Sequence, residues 1–266
     1  MDPRGLASDG YRYFRLMLRE AMAHSGALRI DHAMGLLRQY WVPAGEKATR
    51  GCYVSYPMRE LLSVIALESH RHDCVVIAED LGTVPEGFAD DLKRAGVLSS
   101  RVMLFERGEA GAFRPASRYS RRALVTANTH DHPTLAGWCA GRDLEIRRQV
   151  GELSSEATSS AMEERREDVR LLGRRLRATK ALTGRGLPDA YPGLCRSVYA
   201  FLCETPAPLV GVSLDDLAGE LEPINVPGVP QDVFASWSRR MSSSIAEMAA
   251  SADVRSILEA LASRAI

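Results

Sequence analysis

Three short apolar runs in this 266-residue chain end in side chains that can do chemistry. Ala27-Leu28-Arg29-Ile30 runs into Asp31, Val75-Val76-Ile77-Ala78 into Glu79, and Ala123-Leu124-Val125-Thr126-Ala127 into Asn128-Thr129-His130-Asp131. Side chains alternate across a strand, so Arg29 and Asp31 share one face, Leu28 and Ile30 the other, and Glu79 shares its face with Val75 and Ile77. An arginine beside an aspartate favours the ionised carboxylate, which suits a nucleophile, whereas a glutamic acid in a partly apolar surround can hold a proton near neutral pH. Two carboxylates differentiated in this way are the equipment of glycoside chemistry. In the retaining mechanism one attacks and the other serves as general acid and then base, with about 5–5.5 Å between them. Each feature also has a plainer reading. Arg29 and Asp31 could form a structural ion pair, and a His130-Asp131 pair in a loop could be a turn or helix-cap element. Three acids at successive strand ends weigh towards chemistry.

Those strand ends need elements to position them. The first 26 residues read as helical, with Tyr13, Leu16, Leu18 and Met22 among charges and Gly26 as a stop signal, and Met58–His70 reads as a second helix. Arg101–Phe105, ending at Glu106, and Pro208–Ser213, ahead of Asp215-Asp216, complete five strand candidates. Short, almost continuously apolar strands separated by helices define an α/β chain with a parallel sheet. Acids and polar groups at the carboxyl ends of successive strands favour a (β/α)8 TIM barrel over a doubly wound sheet, because barrel enzymes build their active sites there. After Trp138 comes a charged helical stretch, about Asp143–Thr183, that includes Glu163-Glu164-Arg165-Arg166-Glu167-Asp168; it reads as a solvated face with i,i+4 pairs. A turn-rich segment, Pro223–Pro230, and two closing helices follow. No internal repeat interrupts what reads as one domain.

Composition removes several function classes. The chain carries 34 basic and 34 acidic side chains, so it lacks the clustered positive excess that a nucleic acid or an anionic membrane demands. Only Lys47, Lys93 and Lys180 are lysines; the arginine bias reads as the codon preference of a GC-rich genome. Five scattered cysteines without a C-x-x-C pair argue against a disulfide framework or a structural zinc site and fit a reducing cytoplasm. No signal-peptide pattern opens the sequence, and no apolar run approaches the roughly 18 residues of a membrane span.

The motifs around the acids form a familiar set. Gly26-Ala27-Leu28-Arg29-Ile30-Asp31-His32, followed by Gly35-Leu36, Tyr40-Trp41-Val42-Pro43 and Gly45, closely resembles the nucleophile region of the 4-α-glucanotransferases (amylomaltases, or disproportionating enzymes), relatives of the α-amylases. Ile77-Ala78-Glu79-Asp80-Leu81-Gly82 looks like that family's acid/base strand, and Thr129-His130-Asp131 with Thr134–Trp138 like its third catalytic motif. Asn225-Val226-Pro227-Gly228 and Trp237 near Arg239-Arg240 resemble its C-terminal signature. The resemblance covers Asp2 to about Arg240, with four motifs in the family's order. It implies Asp31 as nucleophile, Glu79 as acid/base and Asp131 as transition-state stabiliser, with Arg29 orienting Asp31 and His130 binding the same sugar. It implies α-1,4-glucans (maltooligosaccharides, amylose) as substrates, a sugar acceptor resolving the intermediate, and neither metal nor cofactor.

Two departures stand out. His132-Pro133 follows Asp131 where many members carry Asn-Asp. The nucleophile strand, the fourth of the family's barrel, begins here at Ala27. The chain therefore reads as the C-terminal part of a TIM-barrel catalytic domain over 1–266, with a helical insertion at about 141–186 and a missing N-terminal half as a partner. Two alternatives remain open: a truncated or split chain inactive in isolation, and a metal-dependent hydrolase using His130-Asp131-His132 with His70-Arg71-His72.

Overall fold

The computed structural model describes residues 2–182 and 191–262. In chain order its first elements are α1 (Pro3–Ser8), α2 (Arg12–Met22), β1 (Ala27–Ile30), β2 (Arg38–Trp41), β3 (Cys52–Ser55), α3 (Met58–His72), β4 (Val75–Ala78), α4 (Phe88–Arg94) and β5 (Leu98–Val102). After them come β6 (Ala123–Thr126), α5 (Leu135–Ala140), α6 (Arg142–Gln149), α7 (Ser155–Ala178), α8 (Tyr191–Cys203), β7 (Leu209–Val210), α9 (Leu214–Ala218), α10 (Ile245–Ala250) and α11 (Ala252–Ala262). The chain forms two compact units, Met1–Ser100 with Arg122–Leu124, and Arg101–Arg121 with Val125–Ile266.

Among the described residues the main sheet has the order β1-β4-β5-β6-β7, so each strand after β1 lies beside its predecessor in the sheet. β1 pairs in parallel with β4 from Ala27↔Val75 to Ile30↔Ala78, and β4 in parallel with β5 at Ile77↔Leu98 and Ala78↔Ser99. Val76, Ile77 and Ala78 are all buried, as a parallel strand covered on both faces requires.

In the first unit, Phe14, Leu18 and Met22 of α2 recur every four residues and form one face of that helix, packed with Met58, Leu61, Leu62 and Ile65 of α3. That face differs from the one read from the sequence: Tyr13 and Leu16 are exposed, because they lie off the 14-18-22 line. Nor is the amino-terminal helix continuous. Gly10 and Tyr11, with φ of 62° and 59°, take the left-handed conformation and separate α1 from α2. β2 and β3 form an antiparallel hairpin that the sequence pattern did not announce, since both strands are largely exposed and carry no alternation of apolar and polar residues.

β5 begins three residues earlier than the apolar run Arg101–Phe105 suggests, and Met103–Phe105 is a 3-10 turn. The reason is polar. Asp80 accepts hydrogen bonds from the Ser99 hydroxyl at 2.8 Å and the Ser100 amide at 3.0 Å, which draws a serine pair into the ladder.

In the second unit the charged stretch is helical, as α6 and α7, but is not simply solvated. Arg165 forms a two-pronged pair with Asp143 at 2.7 and 2.8 Å and also donates to the Trp138 carbonyl, while Arg107 grips Asp168 at 3.0 and 3.2 Å. Leu172 and Leu176, one and two four-residue steps beyond Asp168, are buried on the same side of α7. Residues 183–186 of the expected insertion lie outside the described residues. β7 is shorter than Pro208–Ser213; its backbone continues through Gly211, whose amide donates to the Val125 carbonyl at 2.8 Å.

Candidate active site

Two of the three acids meet in the first unit. The register Ile30↔Ala78 places the next residues, Asp31 and Glu79, at the same carboxyl end of adjacent strands, and the Glu79 amide extends the ladder to the Ile30 carbonyl at 2.8 Å. Arg29 Nη1 lies 2.7 Å from Asp31 Oδ1, so the alternation read from the sequence does put both on one side of β1. Asp31 is half exposed and Glu79 is buried. Glu79 is also the better anchored: its Oε2 accepts the His32 amide at 3.0 Å and its Oε1 the Leu81 amide at 2.7 Å.

Between them stands His32. Its Nε2 is 3.7 Å from Asp31 Oδ2 and its Nδ1 3.6 Å from Glu79 Oε2. The backbone reaches this arrangement through a left-handed conformation, φ 46° and ψ 52°, that costs a non-glycine residue on the order of 1–2 kcal/mol. Asp31, His32 and Glu79 each offer one ligand atom, all within 4.8 Å of one another, and among the described residues this trio is the set that could hold a metal ion. Two histidines of the metal-hydrolase reading have other partners. His72 faces Glu68 at 3.8 Å, and His132 Nδ1 is 2.6 Å from the Thr129 hydroxyl.

The third acid belongs to the second unit, in the loop after β6. Asp131 Oδ1 accepts a hydrogen bond from Asn225 Nδ2 at 2.6 Å, and its Oδ2 is 3.3 Å from His130 Nε2. The His130 ring lies 5.3 Å from that of Trp237, an exposed tryptophan whose φ is 62°. His130 lines a cavity of about 260 Å³ with Asn128, Tyr199, Ser213, Asp215 and Ile224. Asp131 lines another, of about 340 Å³, with Asp143, Arg147 and Asn225. The two adjacent residues thus open into different cavities, and His132 lines both.

Sequence reasoning supplied the three acids, Arg29 and His130, but not His32, Asn225 or Trp237 as participants. The signal for Asn225 was its place in Asn225-Val226-Pro227-Gly228; what it touches, 94 residues away, has no trace in local spacing.

Parallel strands that deliver acids at their carboxyl ends define a barrel-type α/β enzyme class. The chain belongs to the 4-alpha-glucanotransferase family, whose profile matches residues 1–246. It is 36% identical over 239 residues to the 4-alpha-glucanotransferase of Mycobacterium tuberculosis, which covers 88% of this chain and 33% of that protein. With the Haemophilus influenzae 4-alpha-glucanotransferase it is 34% identical over 250 residues, 92% of this chain and 36% of that one. Amylomaltase from Corynebacterium glutamicum superposes with a TM-score of 0.89 at 27% identity, over 97% of this chain and 38% of that chain. Amylomaltase from Streptococcus agalactiae, solved in complex with acarbose, shares the fold with a TM-score of 0.69 at 19% identity, over 97% and 45%. The fold is accordingly a partial (β/α)8 barrel with helices, and the chain spans about a third of the length of the curated relatives it matches.

Proposed function

We propose that this chain carries the catalytic carboxylates of a retaining 4-α-glucanotransferase that moves α-1,4-glucan segments between maltooligosaccharides, as part of glycogen and maltodextrin metabolism in the cytoplasm. The observation that carries this reading is the pairing of Asp31 and Glu79 at one end of adjacent parallel strands, both within reach of one imidazole. In the proposed double displacement Asp31 attacks the anomeric carbon while Glu79 protonates the departing sugar oxygen. Glu79 then removes the proton from an acceptor hydroxyl, which displaces Asp31 with overall retention. Arg29, whose Nη1 lies 2.7 Å from Asp31 Oδ1, orients the attacking carboxylate. Asp131, with His130 next to it, is assigned to the hydroxyls of the reacting sugar.

Incubation of the purified chain with maltotriose tests this. Glucose and longer maltooligosaccharides are expected, and Asp31→Asn abolishes both; hydrolysis without chain lengthening would reject the transferase assignment. A second reading, that the chain works only together with the portion its relatives have beyond this match, is favoured by their greater length. It predicts that transfer appears when a polypeptide corresponding to that portion of a relative is added, and not before.

A further inference from the structure

Among the described residues, the most completely buried carboxyl group of the second unit belongs to none of the proposed catalytic roles. Asp216, in α9, is fully buried. An ionisable group in such a place is costly unless every lone pair is used. Here they are used. One oxygen accepts the Leu135 amide at 2.8 Å and Asn128 Nδ2 at 3.0 Å, and the other accepts the Tyr199 hydroxyl at 2.8 Å and the same Asn128 Nδ2 at 3.2 Å. Its main-chain carbonyl accepts the Tyr191 hydroxyl at 2.9 Å and the Cys195 thiol at 3.5 Å. Tyr191, Cys195 and Tyr199 follow one another at four-residue steps, so one face of α8 is turned to this single residue.

Asn128 ends the run that leaves β6, and Leu135 is the first residue of α5. Between them lies the loop that holds His130 and Asp131. We propose that Asp216 is a positioning residue that clamps both ends of the 128–135 loop and so fixes where His130 and Asp131 are presented. A hydrophobic residue would fill the space beneath α5 equally well but could bind neither end. Tyr199 and Asn128, both held by Asp216, also form part of the cavity that His130 lines, so the clamp sets that wall too.

The inference rests on the proposed role of Asp131 only for its kinetic consequence; the clamp itself is read by amide hydrogen exchange on the full chain. In Asp216→Asn, exchange at residues 129–135 should rise at least about tenfold, while amides of α7 and α8 keep their protection. Asn128→Ala, which releases one end only and leaves the buried carboxylate in place, should show the same localised rise if Asp216→Asn does not fold. Tyr191→Phe, which removes a bond to the Asp216 carbonyl rather than its carboxylate, should leave 129–135 unchanged. In the maltotriose assay kcat of Asp216→Asn should fall on the order of 10²-fold with KM nearly constant, because a misplaced group costs the transition state more than the ground state. Unchanged exchange at 129–135, or an equal rise throughout the second unit, overturns the proposal. A wild-type chain without transfer activity would instead count against the functional reading, and the exchange data would still decide the clamp.

Discussion

Asn225 Nδ2 donates to Asp131 Oδ1 at 2.6 Å, tying a residue of the turn-rich carboxyl-terminal segment to the acid of the loop after β6. A neutral donor on one oxygen leaves the other oxygen facing His130. The pair therefore fixes which oxygen of Asp131 is held by Asn225 and which is turned to His130.

Removing that donor should be felt in catalysis before stability. A hydrogen bond to a charged group contributes about 1.5–3 kcal/mol, so Asn225→Ala should lower transfer from maltotriose by roughly 10- to 100-fold. Asn225→Asp, which sets a second carboxylate against the first, should lower it further. A thermal melt within a few degrees of wild type should accompany both, since the pair is exposed.

His32 separates strain from function. His32→Gly relieves the left-handed backbone and should leave the melting temperature unchanged or slightly raised, while transfer falls because the imidazole between Asp31 and Glu79 is lost. His32→Val, β-branched and intolerant of positive φ, should lower stability by about 1–2 kcal/mol. Equal melting temperatures for the two variants would show that the left-handed conformation carries no cost.

Glu68 supplies a pH dependence. Its buried carboxylate accepts from Arg19 at 2.8 Å and from Arg71 at 3.0 Å, and the hydrogen bond from Arg19, more than any other influence, holds its pKa below the usual carboxylate value against the opposing effect of burial. A carboxyl group with a lowered folded-state pKa adds stability that is full above its unfolded pKa, near 4.5, and disappears as pH falls through the folded value. Urea unfolding between pH 7 and pH 3 should show this loss in the wild type. In Glu68→Gln stability should be lower at pH 7 and fall less steeply on acidification.

Gly137 tests the packing beneath α5. It is buried, and a Cβ there would run into the Leu221 carbonyl oxygen and the Thr134 hydroxyl that caps the helix. Backbone cannot yield as a side-chain tip can, so Gly137→Ala should destabilise the chain by about 1–3 kcal/mol, measured by denaturant unfolding. A neutral result would mean that α5 shifts freely, which would also weaken the clamp proposed for its first residue.

The sequence by itself determined the α/β class with its parallel strands, the placement of Asp31 and Glu79 at the ends of neighbouring strands, and that of Asp131 in the segment following another. These follow from local patterns: apolar runs that must be covered on both sides, and a side-chain period of two that puts Arg29 and Asp31 on the same side of β1. Where polar pairing overrode the apolar pattern the sequence misled, as at β5, whose serines are held by Asp80. Where exposure erased the pattern it was silent, as in the hairpin of β2 and β3. Tertiary structure alone decided that His32 would stand between two acids, that Asn225 would hold Asp131 from 94 residues away, and that Asp216 would reach Asn128 across 88. Hydrogen bonds between distant segments depend on distance and direction in space, and no spacing along the chain encodes either.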